Sequence, residues 1–286
     1  MDTRRRPCQY RLAIDVNSGV IAVKLRSFAV LFVSVLVLAG CSDSSDRSDG
    51  PIQLPQTLTI LVTNDDGIVA PGIDTLVNTL TQLDDVDVEV VAPAENQSGS
   101  SDKTTVGDVV WQDSATTSGY MGIAVFGFPA DAVNVALMEL GIVPHLVVSG
   151  VNAGQNVGPF AAFSGTVGAA RTAARVGYPA VAVSASFNEF ADYDAAAALV
   201  VMWIEENREA LVEGTAGAER VTSFNVPGCT AGEIRELVRV PLADSVPEGA
   251  NPFFTDCSVE PEGAPVNDVD AIIKGYAAET QVPLDL

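Results

Sequence analysis

Asp65 and Asp66 stand side by side in the run L-T-I-L-V-T-N-D-D-G at 58 to 67, one asparagine after six residues of Leu, Thr, Ile and Val. Two neighbouring carboxylates repel each other, and keeping both ionised at a buried strand end is costly unless a cation compensates them. The pair therefore points to a divalent-metal site. A polar turn with a helix cap uses the same residue types, so the pair alone leaves both readings open.

Further oxygen donors follow. Asn96-Gln97-Ser98-Gly99-Ser100-Ser101 is a polar loop of small residues in which Ser98 could bring a hydroxyl beside the acids. The run S-G-V-N-A-G-Q-N-V-G at 149 to 158 has three glycines that let backbone approach a ligand, and Asn152 offers a neutral oxygen to a hard cation. Ser164-Gly165-Thr166 opens a helix of small residues, where free amides and hydroxyls suit a phosphoryl group, although a plain Ser/Thr cap reads the same way.

These residues need a frame. The apolar run 58–63 reads as a strand buried on both faces of a parallel sheet. Pro71 starts a helix with Ile73, Leu76, Val77, Leu80 and Leu83 at helical spacing, so the acids fall in a strand-to-helix loop at the carboxyl edge of the sheet, where ligands bind. Further strands are expected at Val86–Ala92, Leu146–Ser149, Pro179–Ser184 and Val221–Val226. A hairpin is expected from Val109–Trp111 and Ile123–Phe126, with helices from Gly127 to Leu140 and Asp194 to Val212. In the last helix Ala195, Leu199, Met202, Trp203 and Leu211 make the expected core face. The fold class is a three-layer α/β, Rossmann-like arrangement with a mostly parallel sheet and a C-terminal hairpin or arm.

Composition narrows the chemistry. With 286 residues, 48% of them apolar, the chain can bury an ample core. Its 15 Lys and Arg against 37 Asp and Glu give a net charge of −22, which argues against binding nucleic acid polymers. His145 is the only histidine, and without a nucleophile elbow it leaves a Ser-His-Asp hydrolase unsupported; a lone His at a strand edge is structural more often than catalytic. The spacing at 149–158 is not that of a dinucleotide loop, and no C-x-x-C pair suggests zinc. Adjacent acids on one loop rarely flank a glycosidic bond at the roughly 5–9.5 Å that its hydrolysis needs.

Taken together, N-D-D-G-I-V-A-P-G at 64–72, V-V-A-P with N-Q-S-G at 90–99, S-G-V-N-A-G-Q-N-V-G at 149–158 and S-G-T-V-G-A-A at 164–170 resemble the SurE survival proteins. Asn225-Val226-Pro227 and the tract from Asp268 to Leu286 continue the likeness, which covers the chain from about Leu58 onward. The resemblance implies a metal-dependent phosphatase acting on nucleoside 5′- and 3′-monophosphates. It implies one divalent cation per subunit, Mg²⁺ or Mn²⁺, on Asp65, Asp66, Ser98 and Asn152. Asp65, Asp66 and Asn152 would serve catalysis, while Asn156, Ser164, Gly165 and Thr166 would hold the phosphate. A homodimer or homotetramer is expected. Two departures stand out. Phe128-Pro129-Ala130-Asp131-Ala132 replaces a Thr-Pro-Thr-Asp-Cys run, changing a wall that the resemblance places near the nucleobase, and the tract 237–265 lacks a Tyr-Trp segment and carries Cys257. The alternative function is a non-catalytic nucleotide- or phosphate-binding surface lipoprotein.

The N-terminal part reads differently. Lys24 and Arg26 precede the apolar run 28–38, which ends in L-A-G-C at 38–41. This is the form of a secretory signal and resembles a lipobox, with lipid carried on Cys41. Residues 1–41 are therefore assigned to the signal, 42–56 to a polar tether and 57–286 to the phosphatase-like domain, with a core at 57–215 and an assembly region at 216–286. The expected location is exported and lipid-anchored to a bacterial membrane, on the periplasmic face of the outer membrane in a Gram-negative source. Export would bring Cys229 and Cys257 into an oxidising compartment, where a disulfide and a pair of buried thiols are both open.

Overall fold

The structure is a computed structural model that describes residues 57–286. The signal, lipobox and tether lie outside the described residues.

Eleven strands and five helices follow in order: β1 (Leu58–Thr63), α1 (Pro71–Leu80), β2 (Val86–Pro93), β3 (Val110–Ala115), β4 (Met121–Phe126), α2 (Pro129–Asn134), β5 (Leu146–Ala153), α3 (Gly165–Arg175), β6 (Ala180–Ala185), α4 (Tyr193–Val212), β7 (Arg220–Asn225), β8 (Gly228–Ala231), β9 (Arg235–Arg239), β10 (Phe254–Asp256), α5 (Asp268–Ile273) and β11 (Tyr276–Pro283). Nine strands form one sheet in the order β3-β4-β2-β1-β5-β6-β7-β11-β9. From β4 through β7 every neighbour is parallel, while β3 and β11 run antiparallel to β4 and β7. β8 and β10 pair separately.

Alternation along the strands makes the layers. Leu58, Ile60, Val62, Val148, Val181 and Val183 pack with Ile73, Leu76, Ala196, Val200 and Ile204 of α1 and α4. Leu61, Val147 and Ala182, one residue out of phase, pack with Ala132, Val133, Val167, Ala170 and Ala173 of α2 and α3. Successive side chains of a strand point to opposite faces, so a sheet covered on both sides needs the continuous apolar runs seen in β1 and β6. β1 lies between β2 and β5, which places Asp65 and Asp66 at the centre of the carboxyl edge.

Two expectations shift. β5 does not stop at Ser149 but runs on to Ala153, with a register change against β6 between Ser149 and Asn152. The extra residue is a bulge, which re-aims the side chains beyond it. In α4 the buried face is Ala196, Ala197, Val200, Ile204 and Leu211, while Met202 is exposed and Trp203 sits at the margin. Small residues let the helix lie close to the sheet, and the wide indole is left at the edge. β7 and β11 stand inside the main sheet, so part of the tract 216–286 builds the scaffold itself.

Candidate active site

The Asp loop is shaped by its neighbours. Asn64, fully buried, donates from Nδ2 to the Gly67 carbonyl at 2.9 Å and accepts the Gly67 N–H on Oδ1 at 3.2 Å. Gly67 has φ of +102°, which a side chain would strain. The loop is thus a polar turn, and that turn presents both carboxylates. It is zipped to the loop after β2 by Ile68 N–H to the Pro93 carbonyl at 2.8 Å and Gln97 N–H to the Asp65 carbonyl at 2.7 Å.

Asp65 is 2% exposed. Thr166 Oγ1 donates to its Oδ1 at 2.7 Å. A Cβ on Gly165 would lie 2.8 Å from Asp65 Oδ2 and 2.8 Å from Ser100 Oγ, so only glycine lets the start of α3 close over this carboxylate. Ser100 Oγ is itself buried without a hydrogen-bond partner. Burial pushes the Asp65 carboxyl up to about 6; Thr166 pulls against that shift, and the charge of Asp66 adds to it.

Asp66 faces the other two loops. Its Oδ2 accepts the Ala153 N–H at 2.9 Å, one residue beyond Asn152, and its Oδ1 accepts Asn96 Nδ2 at 3.0 Å. Asn96 Oδ1 in turn accepts the Ser98 N–H at 3.0 Å, so Asn96 couples Ser98 to Asp66. Burial raises the Asp66 carboxyl as well, against the two hydrogen bonds. Asn152 donates from Nδ2 to the Gly154 carbonyl at 2.6 Å, which turns its Oδ1 the other way.

The structure therefore gathers Asp65, Asp66, Ser98 and Asn152 at three adjoining strand ends. It orients the expected phosphate-binding side chains differently. Ser164 Oγ accepts the Val167 N–H at 3.1 Å as the cap of α3, and Thr166 Oγ1 serves Asp65. Asn156 Nδ2 donates to Ser184 Oγ at 2.9 Å, and Asn156 N–H donates to Asn225 Oδ1 at 2.7 Å. Gly165 is packed against Asp65. Around these stand Asn96, Ser100 and Ser184, which the sequence had not singled out, and Asn225, which it had marked only for the family likeness; Asn96 and Ser100 lay in a loop already read as polar, and nothing local distinguished them.

The remaining titratable candidates are structural. His145 Nδ1 accepts the Thr59 N–H at 3.0 Å and aligns β5 with β1. Asp131 accepts from the N–H of Phe128 at 2.9 Å and from Thr105 Oγ1 at 2.6 Å, capping α2 and holding the loop before β3. Among the described residues no group of three or more His, Cys, Asp or Glu could hold a metal ion. A cation here would rest on two carboxylates and neutral oxygens, a donor set suited to Mg²⁺ or Mn²⁺ and unsuited to zinc. Among the described residues the partners of the two carboxylates are neutral donors, Thr166, Asn96 and the Ala153 N–H, and none is a basic side chain. The residues fit such a cation.

Known proteins match this chain over most of its length. The family model described as Survival protein SurE matches residues 60–245. The 5′-nucleotidase SurE of Desulfovibrio desulfuricans is 34% identical over 246 residues, which is 80% of this chain and 93% of that protein. The 5′/3′-nucleotidase SurE of Salmonella arizonae is 36% identical over 247 residues, 80% of this chain and 91% of that protein. The crystal structure of the SurE protein from Aquifex aeolicus aligns with a TM-score of 0.62 at 25% identity, covering 80% of this chain and 94% of that one.

Proposed function

The chain belongs to the SurE family of phosphatase-type enzymes, and from that premise we propose that it is a metal-dependent phosphomonoesterase hydrolysing nucleoside 5′- and 3′-monophosphates to nucleoside and phosphate. The observation that carries the reading is the adjacent pair of Asp65, buried, and Asp66, half-buried, with Ser98 and Asn152 brought to it from two other strand ends. A divalent cation held by these four residues would supply Lewis-acid polarisation of the phosphoryl oxygens.

The chain's own residues do the rest. Thr166 fixes Asp65 through Oδ1 and leaves Oδ2 toward the space between Gly165 and Ser100. Asn96 and Ala153 hold Asp66 through both oxygens. The first amides of α3, an 11-residue helix, have no carbonyl of their own helix to bond and favour an anion beside them. One of Asp65 and Asp66 would accept the proton of an attacking water, because the single histidine is bonded to Thr59. Asn156 and Ser164 support this floor through Ser184 and the α3 cap.

The enzyme is further proposed to be exported and lipid-anchored through Cys41, and to assemble as a homodimer or homotetramer. The leader ending in L-A-G-C supports export, and so does the bond that joins Cys229 to Cys257 with a Cα separation of 5.4 Å. Among the described residues no helix is long and apolar enough to cross a membrane.

Phosphate release from a panel of nucleoside monophosphates, with Mg²⁺, Mn²⁺ or EDTA, tests the reading beside Asp65→Asn. Turnover that needs the cation and collapses in the variant is expected. Nucleotide binding without turnover under any cation would leave a binding lipoprotein instead.

A further inference from the structure

The tract around β10 departs from the family pattern, yet it is fastened beside the Asn152 loop. Gln155 Nε2 donates to the Phe253 carbonyl at 3.2 Å and to the Val226 carbonyl at 2.9 Å. Ser186 Oγ donates to the same Phe253 carbonyl at 3.0 Å, and Thr255 Oγ1 to the Ile273 carbonyl at 2.6 Å. The disulfide from Cys257 to Cys229 closes the far end.

This fastening assembles phenyl rings. The Phe253 ring lies 5.4 Å from Phe160 and 5.7 Å from Phe187, and Phe187 lies 4.7 Å edge-on to Phe254. A Cβ on Gly154 would sit 3.7 Å from Phe187 Cδ1 and 3.8 Å from Asn152 Nδ2, so the ring and the candidate ligand flank the same small residue. The cluster is not sealed: Phe160 is 38% exposed and Ala153 is open to solvent. The partly open rings leave an apolar surface beside the carboxylate loops that a flat ligand can cover.

We propose that Phe160, Phe187 and Phe253 form the stacking face for the nucleobase of the substrate, on the β6 side of the carboxylates. The proposal rests on the nucleotidase reading and adds where the base goes. It differs from the wall at Phe128–Ala132, which lies on the opposite, β4 side of the sheet edge. Stacking on phenyl faces accepts every base, since each has a π-face. The consequence is an enzyme that separates nucleotides from base-free phosphomonoesters while discriminating weakly among bases.

The test measures KM and kcat of the full chain for adenosine, cytidine and ribose 5-phosphates, alongside Phe160→Ala, Phe253→Leu and Phe128→Leu. Phe160→Ala alters a partly exposed ring, and Phe253→Leu keeps apolar volume, so neither needs to unfold the protein. For these two, KM for both nucleotides should rise about five- to tenfold with kcat and the ribose 5-phosphate constants unchanged. Equal losses on ribose 5-phosphate would mark the rings as structural. An effect confined to Phe128→Leu, or no change at Phe160 and Phe253, would overturn the proposal too. If the parent chain turns over none of the esters, the nucleotidase reading fails separately. Calorimetric binding of adenosine and ribose 5-phosphates then decides the stacking face, selective weakening supporting it and uniform weakening overturning it.

Discussion

Thr166 Oγ1 donates to Asp65 Oδ1 at 2.7 Å across 101 residues, both side chains being shut away from water. The bond ties the first turn of α3 to the end of β1. Removing the donor leaves a buried carboxylate oxygen unsatisfied, which costs about 1–3 kcal/mol. Thr166→Val keeps the shape and loses the bond; Thr166→Ser keeps the bond. We expect kcat/KM to fall about ten- to a hundredfold in the valine variant and to recover in the serine variant, with circular dichroism unchanged in both. Equal activity of the two variants would refute a positioning role for this hydroxyl.

Burial pushes the Asp65 carboxyl up to about 6 from the 3.8 of an ordinary aspartate. A group whose folded pKa is raised holds its proton more tightly folded than unfolded. Its contribution therefore favours folding at low pH and is lost as pH climbs through about 6. A shift of this size corresponds to at most about 3 kcal/mol. In EDTA, Asp65→Asn should raise the melting temperature over the parent at pH 7.5, and the gap should shrink by pH 5. Saturating Mg²⁺ should stabilise the parent and not the variant. A gap that is constant from pH 5 to 7.5 would show that Asp65 is not the group responsible.

The Asp pair was legible because an apolar run ending in acids and followed by Pro71 has few readings other than strand, loop and helix. Asn152 and Ser98 were candidates by type and by resemblance, and the contacts that place their loops beside the acids were not legible. The bond from Thr166 to Asp65 joins residues whose local sequences carry no trace of each other. Ser164 is a helix cap, a reading that the sequence left level with phosphate binding. In α4 apolar residues occur on more than one face, so the expected face of Ala195, Leu199, Met202 and Trp203 was out of phase, and packing buries Ala196, Ala197 and Val200 instead. The bulge that carries β5 past Ser149 depends on pairing with β6, which no local pattern announces.

Asn96 bridges Asp66 and Ser98 from an exposed position, donating to one and accepting from the other at 3.0 Å each. Its removal should barely touch stability, since exposed substitutions stay within about 0.5 kcal/mol. It should loosen two of the four candidate ligands together. For Asn96→Ala we expect the Mn²⁺ concentration giving half-maximal activity to rise about tenfold, equivalent to about 1.4 kcal/mol. An unchanged cation requirement would show that the bridge is incidental.

Arg171 is wholly buried on α3, 3.2 Å from Ser101 Oγ and 3.4 Å from Asp102 Oδ2, and Arg175 reaches the same carboxylate at 2.7 Å. The two partners are not equivalent. Arg171→Met takes the buried charge away and leaves Asp102 paired with Arg175, whereas Asp102→Asn strands a guanidinium in the core. Replacing a buried charge by an apolar group is often close to neutral, and breaking a buried pair costs about 3–5 kcal/mol. Asp102 is a third exposed, so the low end applies. Urea unfolding should show Asp102→Asn destabilised by about 3 kcal/mol and Arg171→Met by less than about 1 kcal/mol. The reverse order would mean that the guanidinium's packing outweighs its charge.

Cys229 and Cys257 close a loop of 28 residues between β8 and the end of β10. A crosslink of that span stabilises by about 3–4 kcal/mol if its effect lies mainly in the unfolded chain. The bond is distant in sequence from every candidate ligand, and its loop contains none of them. Cys229→Ser with Cys257→Ser should therefore lower the unfolding free energy measured in urea by that amount while kcat for ribose 5-phosphate stays at the parent value under conditions where both proteins are folded. Dithiothreitol should reproduce the loss in the parent and do nothing to the double variant. Loss of kcat in the folded double variant would mean that the bond positions the carboxylates themselves, through Gln155 and the Asn152 loop.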